Sequence, residues 1–387
     1  MTAHTTLEAQ NPAVRYIEAE QVKNRYARGW HCLGLSADFR DGKPHQITAF
    51  GMKLVVWAGE DGTINVLDAY CRHMGGDLSQ GTVKDGNIAC PFHDWRWGGN
   101  GRCAKIPYSQ RIPLRARTTA WPTLDQDGML FVWNDPQGRP PRAEEAIPVI
   151  PGATSDEWTS WHWYTVKIEG ANCREIIDNV VDMAHFFYVH HALPTSFKNI
   201  FEGHIAQQRM NGAERADIGV PAPEGTVALG MESVGTYYGP SFMIDELLYK
   251  YNFGNMETVL INCHYPIDTN SFMLQYGIIS KIPQGVAPDD ALAQAVAMGD
   301  FIKIGFEEDV AIWQNKTRID NPLLCEEDGP VYQLRRWYEQ FYTDVEEVTP
   351  EMTDRFEFEI DMTRPSEAWG LEIADNIARR QEAVVSS

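Results

Sequence analysis

Cys71-Arg72-His73-Met74-Gly75-Gly76 and Cys90-Pro91-Phe92-His93-Asp94-Trp95 decide how this chain is read. Each stretch pairs one thiolate with one imidazole in a loop marked by Gly or Pro, as C-x-H and C-x2-H with sixteen residues between His73 and Cys90. Two such loops meeting at their tips give one metal two sulfur ligands and its neighbour two nitrogens. That is the donor set of a two-iron, two-sulfide centre in which histidines replace two of the cysteines, a change that raises the reduction potential. A zinc site of the same composition usually keeps C-x2-4-C apart from H-x3-5-H, whereas Cys and His alternate here. The glycines and Pro91 let backbone N–H groups approach the inorganic sulfides.

A chain of 387 residues has room for two or three domains, and 43% hydrophobic with 22% charged residues is ordinary for a globular protein. With 33 basic and 54 acidic residues the net charge is −21, which repels polyphosphates and argues against nucleic acid as a partner. Seven cysteines, two of them taken by iron, and a start without a basic and apolar leader suggest a reducing cytoplasm. The sequence leaves Cys32, Cys173, Cys263 and Cys325 without a role and makes Cys103 a free structural thiol. No apolar run is long enough to span a bilayer.

Along the chain, residues 1–26 read as an arm. Residues 27–142 read as a small all-β domain, with strands over 52–58 and 63–70 about the Glu60-Asp61-Gly62 turn and over 129–133 after Asp127-Gly128. The Pro- and Gly-rich stretch 135–142 is the linker. Residues 143–387 read as α+β: a helix over 172–190, strands near 203–210, 226–235, 256–265 and 271–281, then helices over 290–317, 330–344 and 366–380. No G-x-G-x-x-G turn follows a strand, so the chain has no dinucleotide site of its own.

A second metal site is written in Asn179-Val-Val-Asp182-Met-Ala-His185-Phe-Phe-Tyr-Val-His190, where an acid and two imidazoles interrupt an apolar run. Asp182 and His185 share a helical face. His190 lies about 140° round an ideal helix from His185, so both bind one ion only if the helix bulges or ends between Phe186 and His190. Two histidines of this kind call for a carboxylate from another element to complete a facial triad on Fe(II). Asp309 supplies it: Ile302, Phe306, Val310 and Trp313 form an apolar stripe with Asp309 at its edge, while Glu307 and Glu308 turn away.

Together, D-x2-H-x4-H following C-x-H-x16-C-x2-H resembles the α subunit of Rieske non-haem iron oxygenases over nearly the whole chain. Met74 and Asp94 depart from the commonest loop pattern of that family, where Arg and Gly are frequent. The finer resemblance, carried by the two tips, by Tyr26-Ala-Arg-Gly-Trp30-His and by the segment holding Asp309, is to the oxygenase component of 3-ketosteroid 9α-hydroxylases. It implies a small all-β Rieske domain and a catalytic domain with a curved antiparallel sheet wrapped by helices, of helix-grip type. It further implies a [2Fe–2S] cluster on Cys71, His73, Cys90 and His93, a mononuclear Fe(II) on His185, His190 and Asp309, and O2 as co-substrate. Electrons would come from NADH through a separate flavin and iron–sulfur reductase. Asp182, with Asn179 as a further catalytic candidate, would bridge His185 to His93 of a neighbouring subunit in a homotrimer.

The implied reaction is 9α-hydroxylation of ketosteroids such as androstenedione. Phe306 and Trp313 lie on the face of Asp309 and Val180 sits beside Asp182, so these three are expected to wall the pocket. Asn262, within an apolar strand, is a candidate partner for a steroid ketone, with Gln208, Tyr237 and Met243 as further candidates. A plain electron carrier needs only the first domain. A cis-dihydroxylating dioxygenase, or an enzyme for another polycyclic substrate, uses the same ligands.

Overall fold

In the computed structural model, residues 25–218 and 225–386 are described; most of the expected arm lies outside them. Three small antiparallel sheets occupy the first part of the chain. One joins β1 (Gly29–Leu35), β10 (Met129–Asn134) and β9 (Thr123–Gln126); a second joins β2 (His45–Ala49), β3 (Met52–Ala58) and β4 (Ile64–Asp68). The third joins β5 (Thr82–Lys84), β6 (Asn87–Ala89), β7 (Arg96–Trp97) and β8 (Cys103–Lys105). The Asp127-Gly128 pair connecting β9 and β10 takes φ of +55° and +79°, the left-handed pair that matches the twist of a tight hairpin. Residues 135–142 carry neither strand nor helix.

An eight-stranded antiparallel sheet follows, in the order β11-β17-β16-β15-β14-β13-β12-β18. Its members are β11 (His162–Glu169), β12 (Ala192–Glu202), β13 (Ile205–Glu214), β14 (Ala228–Tyr238), β15 (Phe242–Tyr251), β16 (Gly254–Pro266), β17 (Ser271–Ser280) and β18 (Phe356–Glu359). Both faces of its centre are covered, so β16 is buried without break from Thr258 to Pro266. Alternation along the strands sorts the two coverings. Phe242, Ile244, Val259, Ile261 and Cys263 pack against Trp30, Cys32, Phe131 and Trp133 of the first domain. Leu247, Leu260, Tyr276 and Ile278 face the long helix α2 (Pro288–Trp313). Pro288 at the first helical position and Asp289 and Asp290 in the first turn suit the N-terminus of α2.

The expected helix over 172–190 is a correction. That stretch forms two 3-10 segments, Cys173–Glu175 and Ile177–Val181, and a short α1 (Ala184–Tyr188). Its apolar residues serve several neighbours rather than one helical stripe, and Asn172 caps the first turn by accepting from Arg174 N. The expected helices near 330–344 and 366–380 are α3 (Val331–Glu339) and α4 (Thr363–Ser386). Four strands, β11, β12, β15 and β18, were not expected.

Candidate active site

The two cysteine–histidine loops fold alike. Cys71 N donates to Gly76 O (2.8 Å) and Gly75 N to Cys71 O (2.9 Å); Cys90 N donates to Trp95 O (2.9 Å) and Asp94 N to Cys90 O (3.0 Å). Both cysteines are buried and both histidines half-buried. Burial, together with the adjacent Cys90 thiol, raises the Cys71 thiol above its ordinary value, and Trp97 Nε1 donates to Cys71 Sγ at 3.3 Å. The rings of His73 and His93 meet at 4.7 Å, and Trp95 stacks on His73 at 4.4 Å. Sulfur therefore neighbours sulfur and imidazole neighbours imidazole, the sorting that a two-iron centre with two kinds of iron requires. Two further features fit that group. A Cβ on Gly76 would lie 2.7 Å from Cys90 Sγ, and His73 Nδ1 is buried with no hydrogen-bond partner among the described residues.

The second constellation assembles from three elements. The carbonyl of His185 accepts from Val189 N (2.7 Å) and from His190 N (3.3 Å), a one-turn widening of the π type that ends α1. His191 then takes φ +56° and turns the chain into β12. This break brings the His185 and His190 rings to 5.0 Å. Asp309, buried on α2, faces them, and the donor atoms of His185, His190 and Asp309 lie within 4.8 Å of one another. Two imidazoles and one carboxylate at this spacing fit an iron of the facial-triad type.

Neighbouring groups fix the orientation of these donors. His185 Nδ1 donates to the backbone carbonyl of Asp182, which leaves Nε2 free as a ligand. His190 Nε2 is 3.2 Å from Asp309 Oδ2, and its Nδ1 is 3.7 Å from Glu308 Oε2. Asn179 Nδ2 donates to Asp309 Oδ1 (3.3 Å), and Trp313 Nε1 donates to Asn179 Oδ1 (3.4 Å). Burial lowers His185 below the ordinary imidazole value. Burial acts the same way on His190, but the Asp309 and Glu308 carboxylates outweigh it and raise the ring above that value. Asp182 is exposed and accepts from His185 N at 3.2 Å.

A cavity of about 400 Å³ opens beside the triad, between α2 and the sheet. Val180, Gln208, Tyr237, Met243, Asn262, Phe306 and Trp313 all line it. Tyr237, Met243 and Asn262 are paired in register across β14, β15 and β16, so one row of the sheet carries all three. Tyr237 Oη and Asn262 Oδ1 are buried without a hydrogen-bond partner among the described residues. Many lining residues were missed, and two acidic ones, Asp245 and Glu308, show why. Asp245, two positions beyond Met243, shares its face, a signal the strand period would have given had β15 been recognised. Glu308 was expected to turn away with Glu307. Only Glu307 does, bound to Lys303 Nζ at 2.8 Å, because the pocket wraps round that edge of α2.

Fold and sites together define a Rieske-type non-haem iron oxygenase. Residues 29–119 match the Rieske [2Fe-2S] domain, and residues 132–342 match the 3-ketosteroid 9alpha-hydroxylase C-terminal domain. The chain is 62% identical over 372 residues to a Rhodococcus rhodochrous 3-ketosteroid-9-alpha-monooxygenase oxygenase component, covering 96% of this chain and 94% of that one. The same-named Mycobacterium tuberculosis protein is 54% identical over 371 residues, with 95% of each chain covered. The chain therefore belongs to the family of 3-ketosteroid-9-alpha-monooxygenase oxygenase components. A solved structure of Pseudomonas putida NdmA with caffeine shares the fold at TM-score 0.63 and 18% identity, over 86% of this chain and 96% of that one.

Proposed function

We propose that this chain is the oxygenase that inserts one oxygen atom at the 9α C–H of 3-ketosteroids such as androstenedione. It acts in the cytoplasm with O2, on electrons passed from NADH by a separate flavin and iron–sulfur reductase. One observation supports this reading above the rest: an apolar-walled cavity of about 400 Å³, a volume suited to a rigid fused-ring molecule, opens directly onto His185, His190 and Asp309. The division at residue 142 separates the electron-receiving domain from the hydroxylating one.

Cys71, His73, Cys90 and His93 would hold the [2Fe–2S] cluster, and His185, His190 and Asp309 the mononuclear Fe(II). When bound, these groups supply one-electron transfer and dioxygen activation. The chain's own residues orient and exclude. Asn179 holds the Asp309 carboxylate, Phe306 and Trp313 keep water from the face beside it, and Val180 and Met243 set the depth at which a flat ring system stops. Tyr237, Asn262 and Gln208 are the polar contacts for its oxygen atoms. Regioselectivity is then a matter of which C–H these walls bring near the triad. In this reading Asp182, exposed and bound to His185, receives His93 of the partner subunit in a homotrimer, so that electrons cross between copies.

The test is turnover of androstenedione by the holoenzyme with a reductase, NADH and O2. The expected product is a 9α-monohydroxylated steroid formed one-for-one with O2 consumed. A dihydrodiol product, or no steroid consumption, overturns the reading.

A further inference from the structure

Charge is divided unevenly along this chain. Residues 27–142 carry 14 basic and 11 acidic side chains, so a domain of net charge +3 belongs to a chain of −21. The excess is concentrated in one loop. Residues 102–117, which include β8 and the loop that leaves it, hold five cations and no Asp or Glu. Arg102, Lys105, Arg111, Arg115 and Arg117 are all exposed, and none forms an ion pair among the described residues. Lys84 and Arg96 of the same small sheet are instead tied to Asp94 and Asp85. Interspersed with the free cations, Leu114 is 99% exposed, Tyr108 64% and Ile112 40%. Single exposed apolar residues are ordinary, but three on one cationic loop give the apolar centre and charged rim of a contact surface.

This loop is fixed in place and joined to the cluster residues. Its base is closed by Cys103 N donating to Ala116 O (3.0 Å) and Thr118 N to Gly101 O (2.8 Å). Ser109 Oγ accepts from Arg111 N (3.2 Å) and donates to Arg111 O (2.9 Å). Cys103, Ile106 and Ala116 fasten the loop into the buried group that contains Cys71 and Cys90. Tyr108 Oη accepts from Trp95 Nε1 at 2.7 Å, and Trp95 stacks on His73 at 4.4 Å. Two contacts therefore lead from an exposed tyrosine of the basic loop to a candidate cluster ligand.

We infer that residues 102–117 are the surface on which the electron-donating reductase docks, and that the donor meets it with a carboxylate-rich face beside its own iron–sulfur centre. The inference rests on the reading of this chain as an oxygenase fed by a separate reductase, and adds the surface and the charge of that partner. Outside residues 27–142 the chain carries 19 basic and 43 acidic side chains, so an acidic donor is repelled over most of the molecule. Attraction to this loop acts within about 8 Å, one Debye length at physiological salt, and so selects the place of landing as well as the rate. Docking over Tyr108 brings the donor next to the ring that stacks on His73. One electron then leaves the donor's reduced centre, which is oxidised, and reduces the centre held by Cys71, His73, Cys90 and His93; no bond is made or broken.

The experiment uses the holoenzyme and the NADH-dependent flavin and iron–sulfur reductase of the androstenedione assay. Surface plasmon resonance at several salt concentrations gives the association and dissociation rates, and stopped-flow absorbance gives the rate of cluster reduction. The double variant Arg111→Glu with Arg115→Glu is expected to associate about tenfold more slowly at low salt, with a flatter salt dependence and a nearly unchanged dissociation rate. Leu114→Ser instead speeds dissociation several-fold. Arg379→Glu, which reverses an exposed cation of α4, changes neither rate. The replaced side chains are exposed, so every variant keeps the cluster spectrum and is fully reduced by dithionite. Association and cluster reduction at wild-type rates in the double variant overturn the docking assignment and leave the oxygenase reading standing. A changed oligomeric mass in that variant also overturns it, and assigns the loop to contact between copies of this chain. A wild-type cluster that dithionite reduces and the reductase does not removes the reading of a separate donor itself.

Discussion

Gly75 and Asp94 hold the same place in the two cluster loops: each lies four residues after its cysteine, donates its N–H to that cysteine's carbonyl, and has positive φ, +75° and +55°. Aspartate is among the few side chains that tolerate this region. Here it is also tied to Lys84 Nζ at 2.7 Å and Arg96 Nη2 at 3.3 Å. Asp94→Ala keeps the Cβ in this region but loses both ion-pair contacts and the local hydrogen bonding that lets aspartate adopt it, and is expected to lower the melting temperature and cluster retention. Asp94→Gly, which relieves the strain, should retain the cluster nearly as well as the wild type. Visible absorbance of the cluster during thermal melts measures both.

Removing the carboxylate of the triad should separate the two metal sites. Asp309→Ala is expected to bring iron content from about three to about two atoms per chain while the cluster spectrum stays. Asn179→Ala leaves Asp309 without its amide donor, and a loss of 10- to 100-fold in iron affinity or turnover is expected. Iron analysis beside visible spectra checks each variant. A two-iron wild-type protein would remove the mononuclear site.

The electron route predicts a different pattern for Asp182. Asp182→Ala should keep three irons per chain and normal substrate binding, yet fall about 10- to 100-fold or more in product formed per reduced cluster. Single-turnover assays with pre-reduced protein measure this. Normal product yield would sink the bridge between subunits.

Helix α4 acts on the iron site at a distance. Trp369 stacks on Phe187 of α1 at 4.7 Å with rings nearly parallel, and the Arg215 guanidinium lies 3.8 Å from the same ring. Phe187 follows His185 by two positions, so this clamp fixes the turn that presents the ligands. Trp369→Ala is expected to cost about 3–5 kcal/mol and to lower iron occupancy. Trp369→Phe should recover most of both, as read by melting and iron content.

Acid sensitivity should arise at the seam between the domains. His31 and His264 are almost wholly buried, and burial pushes them down to about 4 and about 3. Both stay neutral in the fold while the unfolded chain takes up protons below about 6.5. Stability is therefore full above about pH 6.5 and is lost as pH falls towards 4, by about 3 kcal/mol for His31 alone. Neither ring nitrogen of His264 has a hydrogen-bond partner among the described residues, so His264→Leu should cost little at pH 8 and flatten the fall. Melting midpoints from pH 8 to 5 measure the difference.

The grouping of the candidate ligands was legible in the sequence because their spacing is local: the four cysteine–histidine loop residues and the His185–His190 pair are short-range patterns. Asp309 was legible because α2 keeps one helical period across it. Asp245 and Glu308 were not. β15 reads Phe-Met-Ile-Asp-Glu-Leu-Leu-Tyr-Lys-Tyr, without clean alternation, because one of its faces meets a domain and the other a largely apolar cavity into which Asp245 is set. The 172–190 stretch misled for a related reason, since apolar residues that serve several partners mimic a single helical stripe.

The sheet's double duty gives β15 a parity rule. Its even positions Phe242 and Ile244 join the seam between domains, while its odd positions Met243, Asp245, Leu247 and Tyr249 touch the cavity. Directed evolution towards new ring systems can therefore recolour every second residue of one strand and leave the seam between the domains untouched.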